Sequence, residues 1–408
     1  MDSKTFCPAP FTHFFHKGTP FGKVCCISDN RIIHRERAEQ TWSNSRLNEI
    51  RQDLLANKSV TDCEPCYKTE REGGVSDRLM FMGKYGPEKK ITYNLDTGNQ
   101  FNKPIDLDLR LSNLCNLGCR MCGPHYSSIL EKEISEIPEL HRLQGEPNSA
   151  NQMLTDDDIN WLIRDNPELR RIKFLGGEPT IMPEVYKILD ALMEEKMQPR
   201  IGITTNCTNV NKRFIEYLNY FDHININMSI DGVGNALEYI RAPVNYEKVK
   251  ENSNTLCKIA TTTNINFAMQ ALNISNLTDF MDFVVSLPGE SFADVNSVIV
   301  RWPAGSSPFY LPLEYRKPLI EKALNHKEIN NPRFTKRFKS NLEAVYRSEL
   351  EHDMQDFLFR NMLFDQKRNT HLYKVMPEYR DIAIKFAHQI GKSSQYKERI
   401  IEHYEKGV

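Results

Sequence analysis

From Pro104 to about Ala304 the chain alternates six short apolar runs with stretches of helical period. The runs are IDLDLRLSN, RIKFLGG, RIGITTN, HININMSIDG, INFAMQALN and VNSVIVRWP. In the first, Ile105, Leu107, Leu109 and Leu111 recur at every second position, the period of a strand. The intervening PEVYKILDALMEEK places Val185, Ile188, Leu189 and Leu192 on one helical face. Similar helices are expected near NKRFIEYLNYF, YEKVKENSNTLCKIA and LTDFMDFVVSL. Strand–helix alternation implies an α/β fold with a parallel sheet and right-handed crossovers. Six such units fit a partial (β/α)6, TIM-like barrel better than a full eight-unit one. GEPNSANQMLTDDDINWL reads as an insertion followed by a helix capped by Thr155, with Asp156–Asp158 in its first turn.

The flanks differ. Residues 1–100 are irregular and cysteine-rich, with one clear helix from about Ser45 to Asn57. YGPEKKITYNLDTGNQFNKP reads as a linker or hairpin. Residues 309–408 are helical by period and rich in aromatics. The expected organisation is therefore a cysteine-rich domain over 1–100, a barrel core over 101–308 and a helical extension over 309–408. A chain of 408 residues is long enough for two or three domains. Its net charge of −1 argues against nucleic-acid binding by bulk electrostatics. No apolar run reaches the ~18 residues of a membrane span, and the first residues do not read as a secretory signal. The cytosol is the expected compartment.

Ten cysteines are present, eight of them within the first 122 residues. In a reducing compartment such clustering points to metal binding or chemistry rather than disulfides. Cys207 and Cys257 stand apart and read as small buried hydrophobes. Cys115, Cys119 and Cys122 follow the first barrel strand directly, in CNLGCRMC, with C-x3-C-x2-C spacing. Three thiolates on a tight loop can hold three irons of a [4Fe–4S] cluster and leave the fourth iron open for chemistry. Gly118 lets the backbone fold round it. A structural zinc would want a fourth ligand, for which His125 is the one nearby candidate.

This loop, after the first strand of an α/β half-barrel, resembles the signature of the radical S-adenosylmethionine (SAM) superfamily. Gly176-Gly177-Glu178-Pro179, at the end of the second strand, resembles the superfamily's GGEP motif. The resemblance implies that its backbone holds the SAM amino group. It also implies SAM contacts for Asn206 after the third strand and for Ser229 and Asp231 after the fourth. By the same likeness, Arg241 is expected to pair with the SAM carboxylate. The implied activity is reductive cleavage of SAM to methionine and a 5′-deoxyadenosyl radical, which takes a hydrogen atom from substrate. The residue before the third cysteine is often aromatic in the family, whereas here it is Met121. Singly, GGEP reads equally as a strand-to-helix turn, and Asn206 and Asp231 as helix caps.

A second set, Cys7, Cys25, Cys26, Cys63 and Cys66, resembles the auxiliary-cluster domains called SPASM and twitch. Four of these thiols match one auxiliary iron–sulfur cluster. Adjacent Cys25 and Cys26 are not both expected to ligate; motif order favours Cys25, with Cys26 the alternative. Gly22 sits closer to the cysteine pair than the pattern has it, and the domain precedes the barrel rather than following it. A zinc knuckle on the same thiolates is the other reading. The likeness implies an electron donor such as flavodoxin or ferredoxin, and a substrate that is a peptide or protein side chain. The alternatives are a sugar or nucleotide substrate, or a non-catalytic iron–sulfur or zinc binding protein. Arg301 and Trp302, at the end of the sixth strand, are either substrate-facing or structural.

Overall fold

The computed structural model describes residues 4–17, 21–28, 33–34, 37–85, 103–147, 153–391 and 394–407. The expected linker over 85–104 and part of the insertion before Thr155 lie almost wholly outside them. The chain divides into two compact units. The first is residues 1–112, 150–203 and 220–224; the second is 113–149, 204–219 and 225–408. Among the described residues no helix is long and apolar enough to cross a membrane.

The fold is α/β, with seven parallel strands among the described residues, of the kind a partial TIM-like barrel contains. The first unit pairs β1 (His13–His16), β2 (Asp106–Arg110), β3 (Arg171–Leu175) and the start of β4 (Arg200–Thr205), each parallel to the next. The second pairs β5 (Ile224–Ser229), β6 (Thr262–Met269) and β7 (Phe292–Ile299), again in parallel. The six strands from β2 to β7 are those the alternation predicts. β1 is an addition from the irregular region: HFFH is buried at every position, so it carries no alternation to betray it.

The helices follow the sequence signals. Pro183–Glu194 buries Val185, Ile188, Leu189 and Leu192, the predicted stripe. Thr155 forms a reciprocal capping box with Asp158. Ser45–Leu55 is the expected early helix. Cys207 and Cys257 are both buried, at 0% and 4% exposure, as small hydrophobes should be.

A carboxylate ties β1, β2 and β3 together. Asp106 is fully buried; its Oδ2 accepts from Tyr85 Oη at 2.8 Å and from Arg171 Nη1 at 3.1 Å. His13 Nδ1 stands 3.4 Å from its Oδ1. Burial opposes this charge, but His13, Arg171 and Tyr85 together hold the pKa down at about 2. The folded-state pKa lies below the ordinary ~3.9 of an unfolded aspartate. The stabilisation is thus complete above about pH 4 and is lost as the pH falls through about 2. Asp106→Asn is expected to cost roughly 2–3 kcal/mol at neutral pH. It should also flatten acid denaturation between about pH 4 and 2, which urea titrations at several pH values would show.

Candidate active site

In the second unit the C-x3-C-x2-C loop is held from three sides. Gly118 N–H donates to Ala242 O at 2.7 Å and Arg120 N–H to Ile240 O at 2.8 Å. These two bonds bring the segment Ile240–Ala242 alongside the cysteines. Arg241, between the two anchor points, then points its Nη1 at Cys119 Sγ, 3.7 Å away. Its Nε and Nη2 reach Asp231 Oδ2 at 2.8 and 2.6 Å. Asp231 is fully buried, and its Oδ1 accepts from the Ala268 N–H at 2.6 Å. Burial opposes the charge of Arg241, but Asp231 and Cys119 outweigh it and its pKa is raised. The Nε and Nη2 edge of the guanidinium is thus engaged by Asp231, and Nη1 faces the cysteine loop.

Asn206 acts on the same loop. Its Nδ2 donates to Asn116 Oδ1 at 2.9 Å, while its Oδ1 accepts from the Thr208 N–H at 3.0 Å and hydroxyl at 2.6 Å. Asn116 returns a bond to Thr208 Oγ1 at 2.8 Å. Asn206 therefore sets the residue next to Cys115. Ser229 ends β5 half-buried.

The third side of the loop is one the sequence reading left without a role. The helix Met354–Arg368 turns Arg360, Asn361, Phe364, Asp365 and Arg368 toward the cysteines. Arg120, fully buried between Cys119 and Cys122, gives Nη2 to Asp365 Oδ1 at 2.7 Å. Its Nη1 reaches Asn361 Oδ1 at 3.2 Å and its Nε the Tyr239 carbonyl at 3.0 Å. Its guanidinium also lies 3.7 Å from the Tyr239 ring centre. Arg368 Nη2 bonds Gly118 O at 2.5 Å and Glu133 Oε2 at 2.6 Å. A Cβ at Gly118 would stand 2.9 Å from that Arg368 nitrogen, so the glycine serves the close approach of the helix. Gln144 Nε2 donates to the carbonyls of Arg120 and Cys122, and Arg360 Nε in turn holds Gln144 Oε1 at 2.7 Å. The loop is thereby fixed at both main chain and side chain.

Cys119 is buried; Cys115 and Cys122 are half-buried. Burial raises the Cys119 pKa against the pull of Arg241, and pushes Cys122 up to about 12. Such thiols stay protonated unless a metal supplies the charge that ionises them. His125, the candidate fourth zinc ligand, is exposed. Trp302 is 54% exposed and so is not a core residue; its ring lies close to Gly123, next to Cys122, and to Gly145.

The GGEP segment belongs to the first unit and follows β3. Gly176 has φ +85°, and a Cβ there would meet Arg110 Cα and Ser112 O, both at 3.2 Å. Glycine is thus required by backbone angle and by space. Glu178 is buried and caps the following turn, accepting from the Thr180 N–H at 3.1 Å and hydroxyl at 2.7 Å. Gly177 is half-buried, and Pro179 opens that turn.

Also within the first unit, Cys7, Cys25, Cys63 and Cys66 line one small cavity. Cys26 does not line it; its charged neighbours are Asp108, Asp77, Arg110 and Lys173. Burial raises all four cavity thiols, Cys25 to about 12 and Cys63 to about 11. Backbone N–H groups oppose this: Ala9 at Cys7, Ile27 and Ser28 at Cys25, and Asp77 and Arg78 at Cys66. Amides aimed at sulfur stabilise the thiolate, the form that ligates metal.

The family model described as the Radical SAM superfamily matches residues 109–296. These residues belong to the radical SAM superfamily. That membership implies a [4Fe–4S] cluster and SAM, and the Cys119 and Cys122 thiols beside the Arg241 guanidinium, with Cys115 on the same loop, suit a thiolate-bound iron site. The chain is 26% identical over 260 residues to human "Molybdenum cofactor biosynthesis protein 1", covering 62% of this chain and 35% of that protein. It is 24% identical over 190 residues to the probable GTP 3′,8-cyclase of Methanocaldococcus jannaschii, covering 45% and 57% respectively. With the sporulation killing factor maturation protein SkfB of Bacillus subtilis the identity is 21% over 275 residues, covering 67% and 56%. The chain thus spans about a third of the length of the human relative. Streptococcus suis SuiB bound to S-adenosylmethionine aligns with a TM-score of 0.36 and 16% identity, over 81% of this chain and 66% of that one.

Proposed function

We propose that the protein is a radical SAM enzyme that cleaves SAM reductively and abstracts hydrogen from a peptide or protein side chain, drawing its electron from a flavodoxin- or ferredoxin-like donor. The observation that carries this is the three-cysteine loop held on three sides, with the Arg241 guanidinium 3.7 Å from Cys119. Cys115, Cys119 and Cys122 would hold the SAM-binding cluster, and Cys7, Cys25, Cys63 and Cys66 an auxiliary one. When bound, the cluster and SAM supply the radical that attacks an unactivated C–H bond. The chain's own residues position and shield. Asn206, through Asn116, orients the start of the loop. Asp231 aims Arg241, whose fixed positive charge favours ionised cysteines. By the family likeness, the backbone of Gly176–Pro179 in the first unit and Ser229 in the second are each proposed to contact SAM. Arg120, Arg241 and Arg368 are each paired with a carboxylate, Asp365, Asp231 and Glu133, so they hold the loop in place without making its surroundings strongly cationic.

A nucleotide substrate is the second reading, supported by the likeness to a probable GTP 3′,8-cyclase. The protein should be reconstituted anaerobically and given dithionite and SAM. Formation of 5′-deoxyadenosine and methionine is the expected result, and its absence would overturn the proposal. On the same sample, about eight irons per chain are expected for two [4Fe–4S] clusters. About four irons with zinc held by the N-terminal thiols would make the cysteine-rich region structural. Acceleration of 5′-deoxyadenosine formation by GTP would favour the nucleotide reading.

A further inference from the structure

A second group of metal-ligating side chains lies among the C-terminal helices. Asp365, His371 and His403 come from the helix Met354–Arg368, the N-cap of the turn Leu372–Val375 and the helix Lys397–Lys406. They are 1%, 4% and 2% exposed. One donor atom from each lies within 4.8 Å of the other two. The two imidazole rings stack 11° from parallel, their centres 4.2 Å apart.

The hydrogen bonds around the three residues leave donor atoms of a particular kind. His371 Nε2 lies 2.8 Å from the His403 carbonyl oxygen. A carbonyl only accepts, so Nε2 carries the proton and Nδ1 keeps its lone pair. Nδ1 is buried and has no hydrogen-bond partner among the described residues. An imidazole that gives one N–H to a backbone carbonyl and keeps the other nitrogen bare is arranged as metal-bound histidines are.

Asp365 is divided in the same way. Its Oδ1 accepts from Arg120 Nη2 at 2.7 Å, Tyr239 Oη at 2.8 Å and Thr370 Oγ1 at 2.9 Å. Its Oδ2 accepts from the Leu372 N–H at 2.8 Å and meets His403 Nε2 only at 3.4 Å. One oxygen is therefore saturated by outer partners, and the other faces the histidines with capacity to spare. Monodentate carboxylate ligands are supported in this manner. A cavity of about 540 Å³, lined by Thr370, His371, Lys374 and His403 among others, adjoins the three residues and has room for water.

We propose that Asp365, His371 and His403 form a divalent-metal site that binds zinc. The ligands are Asp365 Oδ2, His371 Nδ1 and a ring nitrogen of His403, with water from the cavity completing the shell. Two imidazoles and one carboxylate match the borderline softness of zinc better than that of calcium or magnesium, which take oxygen. On binding, the long His403–Asp365 contact gives way and both atoms turn to the ion. Arg120 and Lys374 oppose a dication, so binding is expected to be weaker than at a four-ligand structural zinc site. The site shares Asp365 with the Arg120 contact that holds the cysteine loop, but zinc binding does not rest on the proposed radical chemistry.

The test uses the full-length protein with its iron–sulfur complement reconstituted, stripped of loose metal on a chelating resin and dialysed against zinc chloride. Zinc and iron are counted on one sample for wild type, His371→Gln and His403→Gln. Wild type is expected to hold about one zinc more per chain than either variant, with iron unchanged. Zinc is also expected to raise the thermal midpoint of wild type and not of the variants. Zinc that survives both substitutions belongs to the thiols and overturns the proposal. Should a variant not fold, wild type decides alone: a midpoint that saturating zinc leaves unmoved overturns it too.

Discussion

Arg120→Met is expected to empty the C-x3-C-x2-C loop of iron and to abolish SAM cleavage, although no cysteine is touched. The guanidinium is wholly buried and compensates the equally buried Asp365. Burial alone would keep that carboxyl neutral, yet Arg120, with hydrogen bonds from His403 and Tyr239, holds its pKa at about 2. Removing one partner of such a pair leaves an uncompensated charge in a low-dielectric interior, a loss of about 3–5 kcal/mol. The loss falls where the main chain of Arg120 and Cys122 is held by Gln144, and so displaces the second and third cysteines together. Iron should fall by about four per chain, with the other cluster retained. Arg120→Lys keeps the charge but cannot reproduce a planar fork that serves Asp365, Asn361 and Tyr239 at once. It should retain iron and cleave SAM more slowly. An Arg120→Met protein with full iron and wild-type 5′-deoxyadenosine formation would falsify the clamp. Paired iron and sulfide assays, with electron paramagnetic resonance of the reduced protein, separate loss of the loop's cluster from general unfolding.

Why the cysteines were readable and their clamp was not follows from the range of the interactions. The loop, GGEP and the six strands from β2 to β7 are local patterns, carried by spacing, alternation and strand-ending glycines. Thr155 with Asp158 is local too. Arg120 and Asp365 are 245 residues apart, and neither sits in a pattern that names the other. The phrase FDQKR in the C-terminal extension is given no role by the sequence, yet Phe364, Asp365 and Arg368 all lie against the cysteine loop or its arginine. Arg241 shows the opposite case. The family likeness singles Arg241 out as a residue that pairs with SAM, but its place beside the loop and its engagement by Asp231 are tertiary contacts that likeness alone does not carry. Trp302 could be read either way because strand-end position says nothing of exposure; its 54% exposure next to Gly123 is set by packing.

The adjacent cysteines Cys25 and Cys26 give the second large effect, because one substitution should remove a cluster and its neighbour's should not. Cys7, Cys25, Cys63 and Cys66 line a common cavity, and the three others each contribute to the electrostatics at Cys7. Cys26 does not line that cavity: burial raises it most, then Asp108 and Asp77, with Arg110 and Lys173 opposing, although its charge is also felt at Cys25. Cys25→Ala should therefore lose about four irons per chain and Cys26→Ala none. SAM cleavage should persist in both, since other thiols, Cys115, Cys119 and Cys122, are proposed to hold the SAM-binding cluster. Turnover of the true substrate should fail in Cys25→Ala and in Cys7→Ala alike, if the auxiliary cluster passes electrons or holds substrate. Iron lost equally from both variants, or from Cys26→Ala alone, would transfer the ligand role away from the cavity. Loss of zinc rather than iron from Cys25→Ala would make the four thiols a structural knuckle. The two variants differ by a single adjacent methylene thiol, so composition and overall charge stay the same. What separates them is which side of the chain the sulfur leaves from, the property that assigns Cys25 rather than Cys26 to the cavity.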